Sequence, residues 1–90
     1  MNGKVCASCH IEMYPKQNGV WVLEYAGDTP YKLWHADLWG CRGCGTGVVL
    51  GFPLLPVREH FQPDFEKFLT GIRESGETII DCYERITTEL

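Results

Sequence analysis

Four of the five cysteines stand in two pairs of identical spacing, Cys6-Ala-Ser-Cys9 and Cys41-Arg-Gly-Cys44. Each Cys-x-x-Cys puts two sulfurs on one tight turn, about where a tetrahedral metal ion takes them. Two such turns close a four-thiolate cage. No other feature constrains the fold as much, because the stretch from His10 to Gly40 must leave one turn and return to the other. That length suits a hairpin or small sheet carrying a metal knuckle at each end. Cys6, Cys9, Cys41 and Cys44 are therefore the candidate metal ligands, with a single structural Zn2+ as the cofactor.

The residues around the pairs agree with this reading. In a zinc knuckle the residue after the second cysteine often needs a positive φ, which glycine adopts without strain. Gly45 occupies that place in the second pair and His10 in the first, histidine being among the residues enriched there. Gly43 eases the turn inside the second pair, and Lys4 and Arg42 are placed to offset the negative charge of the thiolates. Cys6-Ala-Ser-Cys9-His10 also matches the attachment string of haem c, with Met13 as a conceivable axial ligand. That chemistry requires export and would leave the second pair idle. Thiol–disulfide exchange needs one pair opening a helix, and neither pair does so. Iron in a rubredoxin-like four-thiolate site stays open beside zinc.

A chain of 90 residues is expected to form one domain with a modest core, for which a metal staple is a natural supplement. Residues 1–56 are read as the four-cysteine sheet and 57–90 as an acidic helical part. Gly19 to Tyr25 alternates in the period of a strand, with Val20, Val22 and Glu24 on one face and Trp21, Leu23 and Tyr25 on the other. Met13 to Gly19 is expected as a loop, because Pro15 and Asn18-Gly19 are turn residues. Ala26 to Pro30 supplies a turn, Tyr31 to Trp39 a second strand, and Gly47 to Phe52 a third. The predicted fold is α+β: an antiparallel three-stranded sheet with the metal at one end and one C-terminal amphipathic helix. Phe61, Phe65, Phe68, Leu69 and Ile72 form the helix stripe. Pro63 suits its first turn, and Ser75-Gly76 closes it. Thr78 to Ile86 reads as a short terminal strand through Thr78-Ile79-Ile80 and Tyr83, with a helix face of Ile79, Cys82, Tyr83 and Ile86 as the alternative.

Charge divides the chain. Up to Pro56 the acids and bases balance, so the whole net charge of −4 lies from Val57 onward. A zinc ion held by four thiolates adds two more negative charges. The basic footprint of general phosphate binding is missing, which disfavours nucleic acid as a partner. The longest apolar stretch, Gly47 to Val57, is broken by Gly51, Pro53 and Pro56, too short to span a membrane. The N-terminal residues show no apolar signal core, and paired cysteines in a reducing compartment more often hold metal than form disulfides. A cytoplasmic location is expected.

Trp21, Trp34 and Trp39 are a dense aromatic set for so small a sheet, and they are the candidate anchors for a protein partner. Base stacking on them is the alternative. His10, His35 and His60 are read as isolated positions, and Cys82 as a small apolar residue without a partner. No carboxylate pair, phosphate loop or nucleophile–base couple appears, and four thiolates leave zinc no open position, so no enzyme activity is expected.

The two cysteine pairs with Gly45 resemble zinc ribbons in the broad, rubredoxin-like sense. The string Pro30-Tyr31-Lys32-Leu33-Trp34-His35-Ala36-Asp37-Leu38-Trp39-Gly40-Cys41, followed by Val48-Val49-Leu50-Gly51-Phe52, is similar to small uncharacterised zinc-ribbon proteins of bacteria and phages. The resemblance covers residues 4 to about 65. It implies a zinc-binding fold and supplies no activity, since the same module serves transcription factors, ribosomal proteins and adaptors; a protein-interaction or regulatory module is the expected role. His10 departs from the pattern, standing where such ribbons usually carry glycine.

Overall fold

The computed structural model describes residues 3–86; residues 87–90 of the acidic C-terminal part, Glu89 among them, lie outside the described residues. The order is β1 (Tyr14–Ala26), β2 (Thr29–Gly40), β3 (Gly47–Leu50), β4 (Arg58–Glu59), α1 (Phe65–Ser75) and β5 (Ile79–Cys82). The chain is α+β: one mixed, open sheet ordered β3-β2-β1-β5, with β4 also on β2, and one short helix. No helix among the described residues is long and apolar enough to cross a membrane.

The expected antiparallel three-stranded sheet is enlarged and changed in kind. β1, β2 and β3 pair antiparallel as read from sequence, but β5 joins β1 in parallel, Trp21 opposite Ile79 and Glu24 opposite Cys82. The terminal strand is present but shorter than the expected Thr78–Ile86, ending at Cys82. Its parallel sense follows from the long crossover through β4 and α1, which returns the chain in the direction of β1.

β1 also begins earlier than expected. Tyr14 already pairs with Gly40, and the Met13–Gly19 loop is strand from Tyr14 onward. Its turn-forming residues are absorbed as register shifts between Pro15 and Gln17 and between Asn18 and Val20. Gly19 takes φ +81° at the second shift, and its N–H leaves the ladder to donate to Asp37 Oδ1 at 3.0 Å. Pro15 is tolerated because β5 reaches only Trp21–Glu24, leaving the far edge of β1 beside it unpaired. At the other end, Ala26 faces Thr29 across a two-residue turn. Gly27 fills the first turn position with φ +66°, the positive value that primed hairpin turns need.

The strand alternation sorts side chains as the period of two requires. Leu23 and Leu33 meet Phe65, Leu69 and Ile72 of α1 in one core, with Trp21, Tyr25, Phe68 and Ile79 around it. Each buried Leu or Phe stabilises the fold by about 1.5–3 kcal/mol. On the opposite face Val20, Val22, Glu24, Trp34 and Ala36 are buried, and Phe52 packs edge-on against Trp34 at 5.9 Å. Among the described residues Glu24 is the buried acidic side chain, and Trp34 Nε1 donates to its Oε1 at 2.8 Å.

The helix begins two residues after Pro63, which precedes the N-cap Asp64 instead of entering the first turn. Gly76 caps the C-terminus in the left-handed conformation, its N–H donating to Arg73 O, so Ser75-Gly76 closes the helix as expected. Phe61 does not belong to the helix stripe. It lies before the helix and is 66% exposed, against the ring of His60.

Candidate metal centre

Both knuckles arise at one end of the sheet. Gly40 of β2 is opposite Tyr14 of β1 and Gly47 of β3, so the chain leaving Cys9 and the chain flanking Cys41–Cys44 converge there. Each knuckle is closed by the same two backbone hydrogen bonds. His10 N donates to Cys6 O at 2.8 Å and Gly45 N to Cys41 O at 2.9 Å. Cys6 N donates to Ile11 O and Cys41 N to Thr46 O, both at 2.9 Å. His10 and Gly45 have φ +60° and +78°, the positive values that the knuckle reading requires of them. Among the described residues His10 is the non-glycine with positive φ, which shows how firmly the turn is imposed.

The two turns bring the four sulfurs of Cys6, Cys9, Cys41 and Cys44 within 4.8 Å of one another. Cys6 Sγ lies 3.8 Å from Cys44 Sγ. Tetrahedral zinc with bonds of about 2.3 Å spaces its sulfurs by about 3.8 Å, so the cage needs only slight contraction to hold the ion. All four cysteines are free. They are positioned to hold a metal ion, and their donor chemistry suits zinc or iron.

Burial is graded across the cage. Cys6 and Cys41 are buried against Met13 and Trp39, Cys9 is half-buried, and Cys44 is exposed. Met13, a conceivable haem ligand in sequence terms, instead fills the space behind two of the sulfurs. Gly43 N–H points at Cys41 Sγ at 3.3 Å, and the Thr46 hydroxyl lies 3.0 Å from Cys44 Sγ. Those Thr46 contacts, side chain first and backbone second, bring the Cys44 thiol down to about 6. Cys9 is pushed up to about 12, chiefly through its hydrogen bonds with Cys44 and then Cys41. Of these two thiols Cys44 ionises the more readily and Cys9 the less. Lys4 and Arg42 do stand at this end, over the rings of Trp39 and Tyr14 at 4.2 Å each.

The three tryptophans part company. Trp39 is half-buried behind the sulfurs, and Trp21 is half-buried beside α1. Trp34 is 2% exposed and its indole N–H is spent on Glu24, so it has no surface to offer a partner. Its face of the sheet is covered by Phe52 and the chain after β3, a contact that no local pattern reveals. The histidines do not assemble: His10 leaves the first knuckle, His35 lies on Trp21 and His60 stacks on Tyr31. Cys82 sits on β5 and donates to Glu84 O at 3.2 Å. Thr46 was missed in the sequence reading, although its place next to Gly45 was a usable signal. The packing of Met13 and Trp39 was missed as well, and it had no such signal.

No protein-family model, curated protein or solved structure matches this chain. The likeness to a zinc ribbon therefore rests on the geometry of the four cysteines.

Proposed function

We propose that this chain is a small structural-zinc protein whose role is to engage another protein. One Zn2+ on Cys6, Cys9, Cys41 and Cys44 staples β1, β2 and β3 at their common end. The observation that carries this reading is the four-sulfur cage itself, formed by two knuckles with matching hydrogen bonds. Four thiolates complete a tetrahedral shell and leave no position for water or substrate, so the metal holds the fold and runs no hydrolysis. Metal binding of this kind supplies folding free energy on the order of 10 kcal/mol, comparable with the entire stability of a small domain.

The surface supports an interaction role. Leu54 and Leu55 are 61% and 76% exposed between two prolines, and Phe61 and Tyr83 are similarly exposed. The excess acid from Val57 onward suits a basic protein partner better than nucleic acid.

Elemental analysis of purified protein tests the reading. One zinc per chain, with loss of near-ultraviolet circular dichroism on chelation, is the expected result. Folded protein without metal would overturn it. Visible absorbance separates zinc, which is colourless, from iron in the same thiolate shell. Retention on DNA or RNA at low salt would move the function to nucleic-acid binding.

A further inference from the structure

The flank of α1 and the Trp21 side of β1 bound a trough of about 560 Å3. Its floor is apolar, from Trp21, Phe68 and Ile72, and the carboxylates of Asp64 and Glu77 line it. Gly71 opens the middle of this wall: it lies inside α1, and a Cβ there would meet nothing within 4 Å. Glycine in a helix interior costs stability relative to alanine. No neighbour in the fold requires the missing side chain, so the space above it is kept clear against the preference of the helix.

Two of the lining residues, Phe68 and Asp64, already hold a guanidinium between them. Arg58 Cζ lies 4.4 Å from the centre of the Phe68 ring while its Nε donates to Asp64 Oδ2 at 3.0 Å. The same parts recur in Trp21 and Glu77. Trp21, the better ring for a cation, donates from Nε1 to Glu77 Oε1 at 3.2 Å, and Ser75 Oγ donates to Glu77 Oε2 at 2.7 Å. Those donors, Ser75 first, hold the Glu77 carboxyl below its ordinary range and fix it as an anion beside the indole. Phe68 packs edge-on against the indole at 5.6 Å, and the exposed His35 ring lies across it at 4.5 Å, near enough to Glu77 to act on its charge. Among the described residues no Lys or Arg lies over Trp21 as Arg58 lies over Phe68.

We infer that this trough is the docking site for an arginine side chain of a partner protein, its guanidinium against Trp21 and Glu77 and an adjoining apolar residue over Gly71. The inference rests on the reading of the chain as an interaction module and names the chemistry of its partner. Arginine fits better than lysine, because a planar guanidinium stacks on an indole while forking to a carboxylate. The long-range field agrees, since the net charge of −4 lies wholly in the part of the chain that supplies the α1 wall and Glu77. Lys67 on the same wall and Arg58, which already pairs with Asp64, both oppose a cation, so Glu77 is the carboxylate left to receive it.

The test is a two-dimensional NMR titration of the zinc-loaded chain with the peptide acetyl-Ala-Leu-Arg-Leu-Ala-amide. Its citrulline counterpart, of the same shape without the charge, is titrated alongside. The arginine peptide should shift the Trp21 indole N–H and the Gly71 amide, and the citrulline peptide should bind at least tenfold more weakly. Glu77→Gln and Gly71→Leu should each weaken binding tenfold or more. Lys67→Gln should tighten it, and Glu66→Gln, on the other flank of α1, should leave it unchanged. Absence of shifts at millimolar peptide, an equal response to citrulline, or shifts centred elsewhere would overturn the proposal. Zinc content measured on every sample keeps a failed docking site distinct from a failed metal site.

Discussion

Gly43 offers the sharpest test of the metal centre, because its side-chain space is occupied by a ligand. A Cβ at this position would lie 2.9 Å from Cys9 Sγ and 3.2 Å from Cys9 Cβ. Non-bonded carbon contacts settle at about 3.5–4.0 Å, so Gly43→Ala must drive that sulfur away by roughly 0.6 Å or more. Metal–sulfur bonds tolerate about 0.2 Å. The displacement exceeds that margin severalfold, and zinc affinity should fall by about 10–100-fold, the range seen when ligand-orienting residues are lost. Gly45→Ala is the informative contrast in the same knuckle. Nothing lies within 4 Å of its added Cβ, and its cost is the left-handed φ of +78°, about 1–2 kcal/mol of folding stability. Since His10 holds the matching place in the first knuckle at φ +60°, that cost is tolerable. The assay is competition for zinc against a chromophoric chelator, with circular dichroism to confirm folding. Zinc affinity of Gly43→Ala within twofold of the parent would refute the placement of Cys9 in the cage.

Four further outcomes are expected. Cys44→Ser should abolish stoichiometric zinc and leave the chain largely unfolded, whereas Cys82→Ser should keep full zinc content, as elemental analysis and circular dichroism would show. Trp34→Phe keeps the contact with Phe52 but strands the buried Glu24 carboxylate, so urea unfolding should show a loss of about 1–3 kcal/mol. In a rapid-mixing experiment that strips zinc before the knuckle melts, Cys44 should alkylate with a midpoint near pH 6, slowing as pH falls through that value and the thiolate is protonated. The depressed value means that Cys44 contributes stability fully present above its ordinary value of 9.0, which is lost as pH falls towards 6; Thr46→Val should move the alkylation midpoint upward. Gly71→Ala should raise the stability of α1 by about 1 kcal/mol in thermal unfolding, because its Cβ meets nothing.

Local features were legible in the sequence because each depends on a few neighbouring residues. The positive φ at His10 and Gly45 follows from the Cys-x-x-Cys turn, and the closure of α1 at Gly76 from glycine's access to the left-handed region. The alternation that sends Leu23 to the helix and Val22 to the other face needs only the period of a strand. Phe61 marks the limit of such reasoning: its spacing suited the helix stripe, but the chain had not yet entered the helix.

What the tertiary structure alone decided is where distant segments meet. Whether Pro15 and Asn18-Gly19 make a loop or a bulged strand depends on β2 lying alongside and on the edge that β5 leaves open. Whether Trp34 faces a partner or a buried Glu24 depends on the chain after β3 closing over it. The cysteine spacing by itself determined that four sulfurs could be gathered, since two turns each preset a pair. Only the shared register of Tyr14, Gly40 and Gly47 brought the two pairs within reach of one ion, because pairing between strands far apart in sequence is set by the packing of the whole sheet.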